Sequence, residues 1–440
     1  MCGRGLSGFV SAASGLAAVL LAGCARTPVA PPAGNPLALY EAGRFAEARA
    51  AASNAVARAD AAYGGDHPAV AAAINRLALL NRKMGRYDAA ADGFARAVAL
   101  LEKRMPETQL QLAATLNNKA ELYRLRDDAA AALPLYRRSL DLFQAKLGTN
   151  HAHVAAVLCN VGTLYRGQGD AAESESYLRR ALATYERAAG PEYAETAKAL
   201  TALGELYREQ GRFAEAEDVF QRALDIRRIA LGFNHPLTAG TLNNLALLYA
   251  AQGRYRDAVR RGRQALAARQ KSLGPQHPQV AADLHTLAWV HGRRGDLRLA
   301  ESLYVRAIEI REQAYGADHP SLAEDYRNLA ELYYAQDKPH EAAAALRREI
   351  AVRRQAAHPT PLLAAALNNL GLVLMSRGNL AEAEPLLRRA LEIRDADPAS
   401  PGRETAAVLR NLAKLYRRTD RPHLATECEE RAEGLLDMEY

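Results

Sequence analysis

Small apolar residues recur along this chain at a fixed spacing, and that spacing predicts its elements. Repeats starting at 67, 109, 151, 193, 235, 277, 319, 360 and 402 place a small residue eleven positions on: Ala78, Ala120, Gly162, Gly204, Ala246, Ala288, Ala330, Gly371 and Ala413. Twenty-three positions on stands a second small column, Ala90, Ala132, Ser174, Ala216, Ala258, Ala300, Ala342, Ala383 and Ala425. The period is set separately by His-Pro pairs at 67, 235, 277 and 319, whose separations are 42 or four times 42. Between the columns, Gly85, Gly169, Gly211, Gly253, Gly295 and Gly378 predict a tight turn. Gly64, Gly148, Gly190, Gly232, Gly274 and Gly316 lie three residues before a repeat start, where a helix-ending glycine belongs. The Pro that often follows His suits the first turn of the next helix. Each repeat therefore reads as helix A, a tight turn, helix B and a longer loop.

A large residue expected to lock helix B against the small column occurs at Phe94, Tyr136, Leu178, Phe220, Tyr304, Leu346 and Leu387. It becomes Glu429 in the last repeat, which fits a solvated cap. In the fifth full repeat it becomes Gly262, within Arg260-Arg261-Gly262-Arg263, where looser packing and a flexible joint are expected.

Leu245-Ala246 with Tyr249, Ala258 and Ala265 match the tetratricopeptide pattern of L-G-x2-Y, A and A. Together with LNNLALLYAAQGRY (242–255) and AEAEPLLRRALEIR (381–394), the long period resembles the kinesin light chain subclass. The resemblance implies an all-α solenoid of about ten helical hairpins winding as a right-handed superhelix over residues 36–440. Residues 36–66 make a degenerate first hairpin, with Ala42-Gly43-Arg44-Phe45 in register, and 67–440 make nine repeats. One hairpin cannot bury its apolar face alone, so stacking has to supply a continuous core.

The first residues follow another pattern. Arg4 precedes a run of small and apolar side chains (6–22) that ends at Leu21-Ala22-Gly23-Cys24. This resembles a bacterial lipoprotein signal peptide spanning 1–23; the run is too short and too diluted by Gly and Ser for a transmembrane helix. The resemblance implies a lipidated Cys24 at the head of a Pro- and Ala-rich tether, 24–35. Ala25 stands where an inner-membrane retention signal would often place Asp, so the resemblance leans toward the outer membrane, facing the periplasm.

Bulk composition narrows the function. A hydrophobic fraction of 49% with 24% charged residues belongs to an Ala- and Leu-rich folded protein, and a net charge of +7 with interleaved signs does not point to nucleic acid. The four cysteines form no CxxC pair, and Cys159 and Cys428 read as free thiols. One histidine per repeat is spaced too widely for convergent metal ligands, so no metal or other cofactor is expected. No nucleophile triad, phosphate loop or paired carboxylates rise above the repeat pattern; the chain does not read as an enzyme.

The positions of helix A that face the concave groove in the tetratricopeptide fold carry the candidate chemistry. Eight residues into the repeat stand Asn75, Asn117, Asn243 and Asn368, with Cys159, Thr201 and His285 between. Amides offer donor and acceptor to an extended peptide backbone, or they brace neighbouring loops; the adjacent Asn118, Asn160, Asn244, Asn328, Asn369 and Asn411 read as bracing. Fifteen residues in stand Arg82, Arg124, Arg166 and Arg208, then Tyr334 and Met375 further on. The four guanidinium groups would favour carboxylates of an acidic segment, or form a lattice with Glu121 and Glu205. Trp289, the one tryptophan, lies near His285 and Tyr334 and is a candidate anchor pocket. Arg254, Arg256, Arg260, Arg261, Arg263, Arg269 and Lys271 gather around the fifth helix B, on the convex side. The expected function is a membrane-anchored scaffold that holds an extended segment of an envelope protein in its groove. The alternative is a structural assembly or pilotin-type lipoprotein acting through its convex surface. The oligomeric state stays open.

Overall fold

A computed structural model describes residues 35–41, 44–355, 360–396 and 402–437. Among them the regular structure is helical throughout, with twenty α-helices and no strand. The signal and tether readings, residues 1–34, lie outside the described residues.

The chain divides into two units after His277. Unit 1 opens with the short α1 (Pro36–Glu41) and α2 (Phe45–Tyr63). Hairpins follow in register: α3 (Pro68–Lys83) with α4 (Tyr87–Glu102), α5 (Gln109–Leu125) with α6 (Ala129–Leu147), and α7 (Ala152–Gly167) with α8 (Ala171–Ala189). Then come α9 (Thr196–Glu209) with α10 (Phe213–Leu231), and α11 (Pro236–Ala251) with α12 (Tyr255–Leu273). Unit 2 holds α13 (Pro278–Arg294) with α14 (Leu297–Tyr315), α15 (Leu322–Ala335) with α16 (Pro339–Arg353), α17 (Pro361–Ser376) with α18 (Leu380–Asp395), and α19 (Gly402–Arg418) with α20 (Pro422–Asp437). Helices of even number from α4 on are the B helices. The division follows the repeat in which Gly262 replaces the locking residue. In each unit, A helices of neighbouring hairpins touch, as α7 does α9 and α13 does α15, which makes the A side the inner one.

Local chemistry sets the boundaries. His67, His151 and His235 stand before an A helix in extended backbone, and the Nδ1 of each accepts a backbone N–H two residues on. Asp128 and Asp170 cap B helices in the same manner. The A–B turns need one left-handed residue; Gly253 supplies it at φ 74°. Asp127, Asp337 and Asp420 supply it, at φ 56° to 58°, in the three repeats that lack the turn glycine. Pro320 is the exception among the His-Pro prolines, lying ahead of α15 instead of in its first turn.

The packing is the predicted seam. Phe94, Tyr136, Leu178, Phe220 and Leu387 are wholly buried, and Tyr304 and Leu346 nearly so. They need small partners: a Cβ on Gly204 would lie 2.6 Å from the Phe220 ring, and one on Gly162 2.7 Å from Leu178. Repeats are stitched to their predecessors by a cation near the start of helix B. Arg212 pairs with Glu175 at 2.8 Å and lies 4.0 Å over the Tyr207 ring. Arg254, Glu217 and Tyr249 repeat the motif in unit 1. Lys338, Glu301 and Tyr333, and again Arg421, Glu384 and Tyr416, repeat it in unit 2. In unit 1 the first and last segments also meet: the Phe45 ring lies 6.4 Å from that of His277 and 5.1 Å from Tyr40.

Candidate protein-binding groove

The amides of the inner face join neighbouring repeats in rungs. Asn118 donates to the Oδ1 of Asn75 at 3.4 Å and Asn160 to that of Asn117 at 2.9 Å in unit 1; Asn411 donates to Asn368 at 2.8 Å in unit 2. In the second column Asn118, Asn160, Asn244, Asn328 and Asn411 brace, as their position implied. Of the two readings of the first column, holding a peptide backbone or bracing, the carbonyls of Asn75, Asn117 and Asn368 follow the second. Asn243 has no such rung, and its Oδ1 is buried without a hydrogen-bond partner; the donor position of the next repeat is Thr286. Cys159 is buried, and burial pushes its thiol up.

The four arginines of unit 1 belong to an Arg–Glu lattice. Arg124 holds Glu121 through two hydrogen bonds, at 2.7 and 2.8 Å, and the Tyr136 hydroxyl donates to the same carboxylate at 2.8 Å. Burial raises the Glu121 carboxyl, but the hydrogen bonds and charge of Arg124, the charge of Arg82 and the Tyr136 hydrogen bond together outweigh it and hold the group below its ordinary range. Arg166 pairs with Glu205, and Arg208 approaches Glu209 at 3.6 Å. Burial lowers Arg82, and its Nη1 has no hydrogen-bond partner. Three carboxylates thus stand against four guanidinium groups, so the positive field that a partner meets is small.

Unit 2 presents another surface. Tyr334 is 59% exposed and Leu372 37%, while Trp289 is half-buried against the core around Tyr304 and Leu329. Beside them His285 bonds the buried Asp325 through Nδ1 at 2.5 Å, and its Nε2 meets the Asn328 amide at 3.1 Å. Arg311 pairs with the other oxygen of Asp325. This buried cluster escapes sequence reading because position 6 of the repeat carries no common residue type. Met375, expected at the groove, does not line it: the side chain is 5% exposed and packed in the core with Leu374 and Leu415. An unbranched apolar side chain at that register turns inward, where an arginine keeps its charge in water.

On the outer side Arg254 is held in its stitch, Arg260 pairs with Asp257 at 2.9 Å and Arg269 is buried. Among the described residues no three His, Cys, Asp or Glu side chains gather as metal ligands would, and no helix is long and apolar enough to cross a membrane. The Tyr–cation–Glu stitches were missed in the sequence although their signal is periodic: Tyr at position 14, Arg or Lys at 19, Glu at 24 of the preceding repeat.

Solved structures with similar folds include BtubC (BKLC) from P. vanneervenii, 25% identical, aligning 52% of this chain with 89% of that one at a TM-score of 0.44. A putative kinesin light chain of Podosopora anserina with nearly identical TPR-like repeats is 25% identical, over 48% of this chain and all of the other, at 0.41. Aspartyl phosphate phosphatase F from Bacillus subtilis is 14% identical, over 82% and 92%, at 0.45. No curated protein matches the chain. The tetratricopeptide repeat matches residues 37–103, 111–187, 154–229, 237–313, 293–355 and 362–437. Those spans take in both units and every seam described above, and the chain belongs to the tetratricopeptide repeat family.

Proposed function

We propose that this chain is an envelope scaffold, tethered through an acylated Cys24, that holds an extended segment of another envelope protein on the inner face of its A helices. The tetratricopeptide fold supports a role in protein–protein interaction. The observation that carries the reading is the exposed Tyr334 and Leu372 at groove positions of unit 2, in the two repeats that follow that of the half-buried Trp289. In water such side chains have no reason to be retained in successive repeats, and a partner's apolar side chain would cover them. The partly compensated Arg lattice of unit 1 supports a weaker, charge-guided contact with an acidic stretch. The protein is read as a binder and not an enzyme.

The test is capture of one partner from envelope extracts. Tyr334→Ala with Leu372→Asp is expected to weaken capture tenfold or more, since an anchor side chain contributes about 2 kcal/mol. Charge reversal at Arg124 and Arg166 weakens it less, and Arg260→Glu on the outer side leaves it unchanged. If the outer-side variant alone reduced capture, the assembly reading through the convex surface would replace this one.

A further inference from the structure

The junction between α10 and α11 in unit 1 exposes three large apolar side chains at the edge where B helices lead into A helices. Ile229 is 77% exposed, Phe233 43% and Leu237 45%. They lie in the last turn of α10, the loop and the first turn of α11. The fold does not require them. Where Ile229 stands, other repeats have Lys103, Arg187, Lys271 and Gln313, and where Phe233 stands they have Glu107, Thr149, Pro191 and Pro275. Single apolar side chains stand exposed at other junctions, as Tyr63, Met105 and Leu362 do, but here three come together, and such a group answers to something outside the chain.

Cations stand on both flanks, among the acids Glu186, Glu192 and Asp225. At the position of Ile229 in the repeats on either side stand Arg187 and Lys271, both exposed. Arg228 beside it pairs with Asp225 at 3.8 Å. The start of the described body lies at this edge too: Phe45 is against His277, in the loop one repeat beyond that of Phe233. Cys24 precedes Pro36 by twelve residues, which span at most about 40 Å. Apolar side chains at a loop edge, cations around them and a short tether from the same edge are the makings of contact with a bilayer interface, where the apolar groups enter the acyl boundary and the cations meet headgroups.

We infer that the Ile229–Phe233–Leu237 edge of unit 1 docks on an anionic lipid surface. The tether argument rests on acylation of Cys24 proposed above; the exposure and charge arguments do not.

The experiment uses the full chain carrying Cys24→Ser, so that no acyl chain contributes, sedimented with vesicles of phosphatidylcholine alone or mixed with phosphatidylglycerol. Residues 6–22 are present in every variant, and differences between variants report the edge. Ile229→Ser, Phe233→Ser and Leu237→Ser together are expected to lower binding to the mixed vesicles at least tenfold. Arg187→Gln and Lys271→Gln are expected to lower it about fivefold per cation removed, with no effect on pure phosphatidylcholine. Leu299→Ser with Val305→Ser, 42% and 37% exposed but in unit 2, leaves binding unchanged, and circular dichroism confirms that each variant is folded. Equal binding by the parent and the triple variant overturns the proposal. So does a triple variant whose only change is loss of self-association or of protein capture, because the edge is then a protein interface. Lack of acylation in the cell would remove the tether reading and leave the vesicle result standing.

Discussion

At the scale of single residues the fold is decided by pairs, each a small residue in one helix facing a large one in the next. Gly204 lies where any Cβ would strike the Phe220 ring, with three ring carbons within 2.8 Å. Gly204→Ala is therefore expected to lower stability by about 1–3 kcal/mol through overpacking, read as a shift in the denaturant midpoint at unchanged slope. The chain's alanine content makes such a substitution look harmless in composition; geometry says otherwise. Both columns were legible because they repeat. What was not legible is where a side chain goes when its register is shared by different types: Met375 sits in an arginine column and turns into the core. Asn75 and Asn117 were recognised as groove amides, but their engagement by the next repeat depends on a contact 43 residues away.

At the scale of elements, position 19 of the repeat does one of two jobs in six repeats. At Asp128 and Asp170 the carboxylate caps helix B locally, accepting the N–H of Ala131 or Glu173. At Arg212, Arg254, Lys338 and Arg421 the cation reaches back to a glutamate of the preceding repeat and lies on a tyrosine. Asp296 does neither and holds His291 at 2.9 Å. The first choice strengthens one helix and the second joins two hairpins. Asp170→Ala is expected to cost about 1 kcal/mol through the lost cap, measured by chemical denaturation, and Asp170→Asn should restore most of it. Helix order, number and boundaries were legible in the sequence because turn glycines and helix-ending glycines come in step. The three turns built on Asp127, Asp337 and Asp420 were not, since an aspartate gives no sign of a left-handed backbone until its place in the repeat is compared.

At the scale of the whole molecule, acid should loosen unit 1. His277 is buried, and burial followed by the positive charge of Arg269 pushes it down to about 4; burial and His151 also lower His153. The neutral rings are the folded forms, so the unfolded chain binds more protons below its ordinary histidine value of about 6.5. Their contribution is present above that pH and is lost as pH falls toward 4. The melting temperature is expected to fall between about pH 7 and pH 4.5, and His277→Asn should flatten that fall; a flat profile in the parent chain would contradict the assignment. None of this was readable beforehand, because His277 looked like its counterparts at the other repeat starts and only its contact with the first hairpin sets it apart. That contact, Phe45 on His277, has a consequence for how the array comes undone. A row of hairpins held only by nearest neighbours unravels from its tips, where each terminal member has one companion instead of two. In unit 1 the foremost segment leans on the residue that closes the hindmost one, so fraying from either tip has first to part that contact.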